Sequence, residues 1–172
     1  MLTLHLSLNE FYNESDGTFI SSDETLKLEH SLYSVAKWES KWKRPFATDG
    51  PKTSEETIDY IRCMTLGEVN ESVYSCLTND AIEQINKYIS DPMTATWFKE
   101  DGKRNREIMT AERIYYIMTV FNIPAQYQYW HFNRLLTLIR VCSEENKPKK
   151  KPTQSETIER HRALNRARRR KK

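Results

Sequence analysis

The run from Tyr127 to Cys142, YQYWHFNRLLTLIRVC, constrains this chain more than any other stretch. It is a strongly apolar segment in a polar sequence. Asn133, Thr137 and Arg140 recur at steps of four and three, which leaves one narrow polar stripe on a helix. Trp130, Leu135, Leu136, Leu138, Ile139 and Cys142 occupy the rest of the circumference. A helix apolar on most sides is expected at the centre of a fold, with other elements around it. At a rise of about 1.5 Å per residue the run spans about 24 Å, and Arg134 and Arg140 interrupt it, so it does not read as a membrane crossing.

The residues before this run read as its partner. Thr110 is placed to cap a helix from Ala111 to Phe121, with Ile114, Ile117, Met118 and Phe121 on one side. The short break Asn122-Ile123-Pro124 then predicts an antiparallel αα-hairpin, taken as the core. Three earlier helices are expected. One runs from Ser31 to about Lys43 and is stopped before Pro45. One is opened by the capping box Thr53/Glu56 and carries Ile58, Ile61, Cys63 and Met64. One is capped at Thr78 or Asn79 and carries Ile82, Ile85, Tyr88 and Ile89, with a single helical turn at Val73–Leu77 before it. Met93–Phe98 reads as extended. At the N-terminus Leu2, Leu4, Leu6 and Leu8 alternate with polar residues, the period of a strand with one buried face. Asp16-Gly17 is a hairpin turn, and Leu26 and Leu28 suggest another short strand. The expected fold is mainly α with a small N-terminal β ribbon, an α+β arrangement. Residues 1–30 form the ribbon, 31–145 the helical core domain, and 146–172 a basic linker and tail.

Composition sharpens the last boundary. The net charge of the 172 residues is +3, but residues 147–172 hold twelve Lys or Arg and two Glu, a balance of +10. The body is therefore at −7, so an acidic body carries a basic tail. Arg160, Arg162, Arg166, Arg168, Arg169, Arg170, Lys171 and Lys172 are the tail residues expected to meet an anionic partner, either nucleic acid or an acidic protein surface. Met1–Asn9 lacks the basic start and small-residue cleavage site of a secretory leader. Cys63, Cys76 and Cys142 are odd in number and set among apolar neighbours, which reads as reduced thiols.

Residues for chemistry are sparse. The four glycines sit in turn signals and form no phosphate-cradling loop, and no Cys or His pair has zinc-ligand spacing. No metal and no cofactor is expected. His131 and Cys142 would share a helix face but lie about 16 Å apart along it, too far for a nucleophile–base pair. Glu55, Glu56, Asp59 and Glu83 read as solvated helix faces, and the aromatics from Tyr115 to Phe132 as mainly core. Trp38 and Trp42 lie one turn apart among Lys41 and Arg44. One indole is expected to anchor the helix and the other to be partly exposed, which makes Trp38, Lys41, Trp42 and Arg44 a candidate protein-binding patch.

Several runs resemble a family of small proteins of siphovirus-type tailed phages, the tail assembly chaperones. They are Glu29–Leu32, Lys37–Trp42 followed by Pro45-Phe46, Asp59–Thr65, Met93–Thr96, Thr110–Glu112, Trp130–Arg140 and Arg162–Asn165. The resemblance covers roughly residues 25–170 and brings no catalytic residues with it. It implies a non-enzymatic protein of the host cell cytoplasm that binds the tape-measure protein, keeps it soluble and recruits tail-tube subunits, with a homo-oligomer compatible with that role. Two alternatives stand beside it: a structural component of the virion, at the head–tail junction or tail end, and a nucleic-acid-binding protein acting through the basic tail.

Overall fold

A computed structural model describes residues 1–13, 18–47, 50–98, 109–147, 158–159, 161–163 and 166, with residues 7–13 and 18–23 described by their backbone alone. The chain is mainly helical with a two-stranded antiparallel N-terminal ribbon. Two compact units are distinguished, Met1–Cys142 and Ser143–Lys172.

The ribbon pairs β1 (Leu2–Asn13) with β2 (Thr18–Leu28), from Leu2 opposite Leu28 to Asn13 opposite Thr18. Its register shifts between Ser7 and Glu10. Leu4, Leu6, Leu26 and Leu28 are buried, as the alternation predicts. Leu26 and Leu28 end β2 rather than forming a strand of their own, and the expected turn at Asp16-Gly17 lies outside the described residues. The base of the ribbon belongs to the core cluster, through Leu4, Leu6, Leu26 and Leu28. Thr65 bridges Leu28 through Glu29 N–H to Met64 O (2.9 Å) and Leu66 N–H to Lys27 O (2.8 Å), which extends the sheet by one short segment.

Among the described residues the α-helices α1 (Leu32–Trp42), α2 (Ser54–Met64), α3 (Asn79–Ser90), α4 (Ala111–Val120) and α5 (Phe132–Glu145) follow. Two 3-10 helices intervene, at Glu71–Cys76 and Ala125–Tyr129. Thr53, Thr78 and Thr110 cap α2, α3 and α4 by accepting from a backbone N–H three residues on. Ser31 caps α1 in a reciprocal box whose return partner is Ser34. Lys43 ends α1 in the left-handed region at φ 53°, two residues before Pro45.

The packing centre is α1, rather than a pair formed by α4 and α5. Leu32, Val35 and Trp38 are enclosed, and the main neighbours of α1 are α2, α4 and the second 3-10 helix. The run that opened the sequence reading is not one helix. Pro124 starts the 3-10 turn, and Trp130 is extended. His131 then bridges Ser31, and Phe132 N–H donates to His30 O at 2.7 Å. Only Phe132, Leu135 and Ile139 of α5 are buried, a single stripe at steps of three and four. The polar stripe opposite has its own task. Asn133 Nδ2 donates to Ile89 O and Asp91 O, 2.8 Å each, and so closes the C-terminus of α3.

Among the described residues, no helix is long and apolar enough to cross a membrane.

Candidate functional site

Trp38, Lys41, Trp42 and Arg44 do come together, but they face α2. Trp38 is fully buried, and its indole N–H donates to Glu56 O at 3.0 Å. Trp42 stacks on Trp38 with ring centroids 6.1 Å apart and donates to Asp59 Oδ2 at 2.9 Å. Lys41 pairs with the other oxygen of the same carboxylate, and Arg44 donates to Glu56 Oε1 at 2.7 Å. Phe46 closes the group, 4.2 Å from the Tyr60 ring and 5.3 Å from Trp38. These side chains form the seam between α1 and α2. Trp38 anchors it, and the polar atoms of the other three are already engaged there.

The seam corrects the reading of the acids. Glu56 and Asp59 are 3% exposed, not solvated. A carboxylate this deep must be matched by donors. Glu56 Oε2 accepts from Thr53 N–H at 2.7 Å while its other oxygen holds Arg44. Glu39 is also buried and accepts from Phe46 N–H and Ala111 N–H, 2.7 Å each, which places a carboxylate on the N-terminus of α4.

A second polar cluster ties α1 to α2, α3 and α5. His30 is 2% exposed; its Nδ1 meets the Tyr60 hydroxyl, and its ring centroid lies 5.1 Å from that of His131. Burial, and then the neighbouring His131, push the His30 pKa down to about 3. Burial also lowers His131, whose Nε2 meets Tyr88 O at 3.1 Å. Its partner is thus 43 residues away in sequence. Tyr60 and Tyr88 are raised, chiefly by burial, and remain phenols.

A well-enclosed concavity lies beside the N-terminal half of α1. It is a pocket of about 540 Å³. The N-terminal half of α1 supplies Tyr33, Ser34 and Lys37, and Glu29 and Ser31 precede it. The end of α2 and the turn after it supply Cys63, Met64, Thr65, Leu66 and Gly67, and the second 3-10 helix supplies Tyr129. Gly67, at φ +84°, provides the left-handed backbone that turns the chain away. Tyr33, Leu66 and Tyr129 are exposed at the rim, with the two rings 5.4 Å apart. Lys37 Nζ sits 4.7 Å from the centroid of the Tyr33 ring.

The polar groups of this pocket are mostly satisfied from within. Ser34 Oγ donates to Ser31 O (2.8 Å) and accepts from Ser31 N–H (2.9 Å). Thr65 Oγ1 donates to Ile61 O and accepts from Tyr74 Oη. Glu29 takes the Tyr88 hydroxyl at 2.6 Å on one oxygen and the Met1 ammonium at 3.0 Å on the other. The Cys63 pKa is raised, first by burial and then by Asp59, so it stands as a thiol at neutral pH. What remains is an apolar hollow with one cation at its mouth. Among the described residues that line it there is no nucleophile–base pair.

Sequence reading missed this pocket. Tyr129 was assigned to the core, yet it is 56% exposed and Tyr116 is 69% exposed. The pair Tyr33 and Lys37, one turn apart on a helix, was the available signal. Of the tail residues, Arg162 and Arg166 lie on exposed helical residues of the second unit. Arg160, Arg168, Arg169, Arg170, Lys171 and Lys172 lie outside the described residues. Among the described residues, no group of three His, Cys, Asp or Glu side chains is placed to hold a metal ion.

Comparison with protein-family models, with curated proteins and with solved structures finds no match for this chain.

Proposed function

We propose that this protein is a tail assembly chaperone of a siphovirus-type phage, which acts in the host cell cytoplasm by binding rather than catalysis. Its clients are the tape-measure protein and the tail-tube subunits. Two things support the reading. The sequence runs that resemble that family are spread over roughly residues 25–170, and in the α1–α2 seam one of them, Lys37–Trp42 with Pro45-Phe46, builds the scaffold itself. The observation that carries a binding role is the pocket: an aromatic rim of Tyr33 and Tyr129 with Leu66, exposed on a structured part of the fold. Exposed aromatic and aliphatic side chains around a hollow suit the capture of apolar segments of another protein.

Co-expression with the tape-measure protein of the same phage should raise the soluble yield of that protein, and the two should co-purify. Unchanged yield together with no co-purification removes the proposal. The virion-component reading draws on the ribbon, whose strands pair out to Asn13 and Thr18 and could extend a neighbour's sheet. Mass spectrometry of purified particles separates the two, since a chaperone is absent from them and a component is present at fixed copy number.

A further inference from the structure

We infer that the pocket between α1 and the end of α2 recognises an apolar side chain flanked by a carboxylate, presented by a segment of a partner protein. This rests on the binding role proposed above and adds the chemistry of the bound segment. The hollow is lined below by Met64, which is fully buried, and rimmed by Tyr33, Leu66 and Tyr129. The Ser34 and Thr65 hydroxyls and the Glu29 carboxylate are bonded within the fold, so they give a ligand little to satisfy. A polar ligand group entering there would lose its water without a replacement partner, whereas an apolar one loses nothing.

Charge decides the flanking group. Glu29 is the lining acid, and its two oxygens are occupied. Lys37 is the lining cation. Among the described residues it makes no ion pair, and its amine is held over the Tyr33 ring at the mouth. A carboxylate one or two residues from the inserted side chain can reach that amine. A basic flanking residue meets repulsion instead, which gives the pocket a sign preference as well as an apolar one.

The test uses the full chain and acetylated, amidated peptides of sequence Gly-Ser-Phe-Asp-Ser-Gly, with Asn or Lys in place of Asp as controls, followed by amide chemical shifts. Shifts are expected at Tyr33, Lys37, Leu66, Gly67 and Tyr129. The Asn peptide should bind about 3–5-fold more weakly than the Asp peptide, as for one exposed ion pair, and Lys37→Gln should erase that difference. Tyr129→Ala should weaken all the peptides. Equal binding of the Asp and Asn peptides overturns the inference, as do shifts confined to other surfaces. Concentration-dependent self-association that disappears in Trp97→Ala would also overturn it, because the pocket would then belong to the 81%-exposed indole of a second copy. The two readings fail separately. If the parent chain and Tyr129→Ala solubilise the tape-measure protein equally, the pocket assignment falls and the chaperone role stands. If the peptides bind but the parent chain solubilises nothing, the role falls and the pocket stands.

Discussion

The Tyr127–Cys142 run, which holds α5, is the stretch that the sequence pattern puts at the centre, and α1 reads as a mixed helix, yet their places in the fold are reversed. α5 buries Phe132, Leu135 and Ile139, leaving Leu138 and Val141 partly buried. α1 buries five residues, and two of them, Ser34 and Glu39, are polar. What puts α1 at the centre is the set of groups it satisfies in its neighbours. Its Trp38 N–H takes a carbonyl of α2, and its Glu39 takes two backbone N–H groups from the loop after it and from α4. An apolar count measures how much water a helix prefers to leave. It does not measure how many other elements need that helix in order to close their own hydrogen bonds.

The largest test of this contrast is Trp38→Ala. It removes the enclosed indole and the hydrogen bond that the indole donates to Glu56 O, and it should cost about 3–5 kcal/mol in chemical denaturation. A loss below about 1 kcal/mol would place the centre elsewhere. Glu39→Ala comes next. It strands the N–H groups of Phe46 and Ala111, and an expected loss of about 2–3 kcal/mol follows from one part-buried and one buried donor left unmatched.

The histidine cluster gives a pH dependence with a definite sign. The folded chain holds His30 neutral down to about pH 3, and the unfolded chain protonates it near 6.5. Between those values the unfolded state binds a proton that the folded state refuses. Stability is therefore full above the unfolded value and falls as pH drops, by about 1.4 kcal/mol per pH unit for one such group. His131 adds in the same direction. In His30→Gln the slope between pH 6 and pH 4 should flatten by roughly that amount per unit, measured by denaturation at each pH. An unchanged slope would show that His30 does not carry it.

The smallest expected effect is the sharpest counterpart to Trp38→Ala. Leu138→Ala on α5 should cost less than about 1 kcal/mol, because its side chain is only partly buried and stands outside the core cluster.

Local signals were the legible part of this chain. Thr53, Thr78 and Thr110 announce their helices, and the leucine alternation announces the ribbon, because caps and periodicity depend on neighbours a few residues away. The buried acids were not legible. Glu39, Glu56 and Asp59 look like surface charge until the donors that meet them are placed, and those donors come from as far as Ala111. The packing centre was misread for the same reason. The pocket was hidden as well, since Tyr33, Leu66 and Tyr129 meet only after α1, α2 and the second 3-10 helix assemble.

The carboxylate of Glu39 joins residues that leave the ribosome far apart in time. One oxygen finds Phe46 seven positions on, while the other waits for Ala111, seventy-two positions on. Until that residue emerges, α1 holds a half-matched charge facing the place where α4 will sit. The first half of the chain therefore cannot reach its final packing alone, and the arrival of α4 completes the core from within.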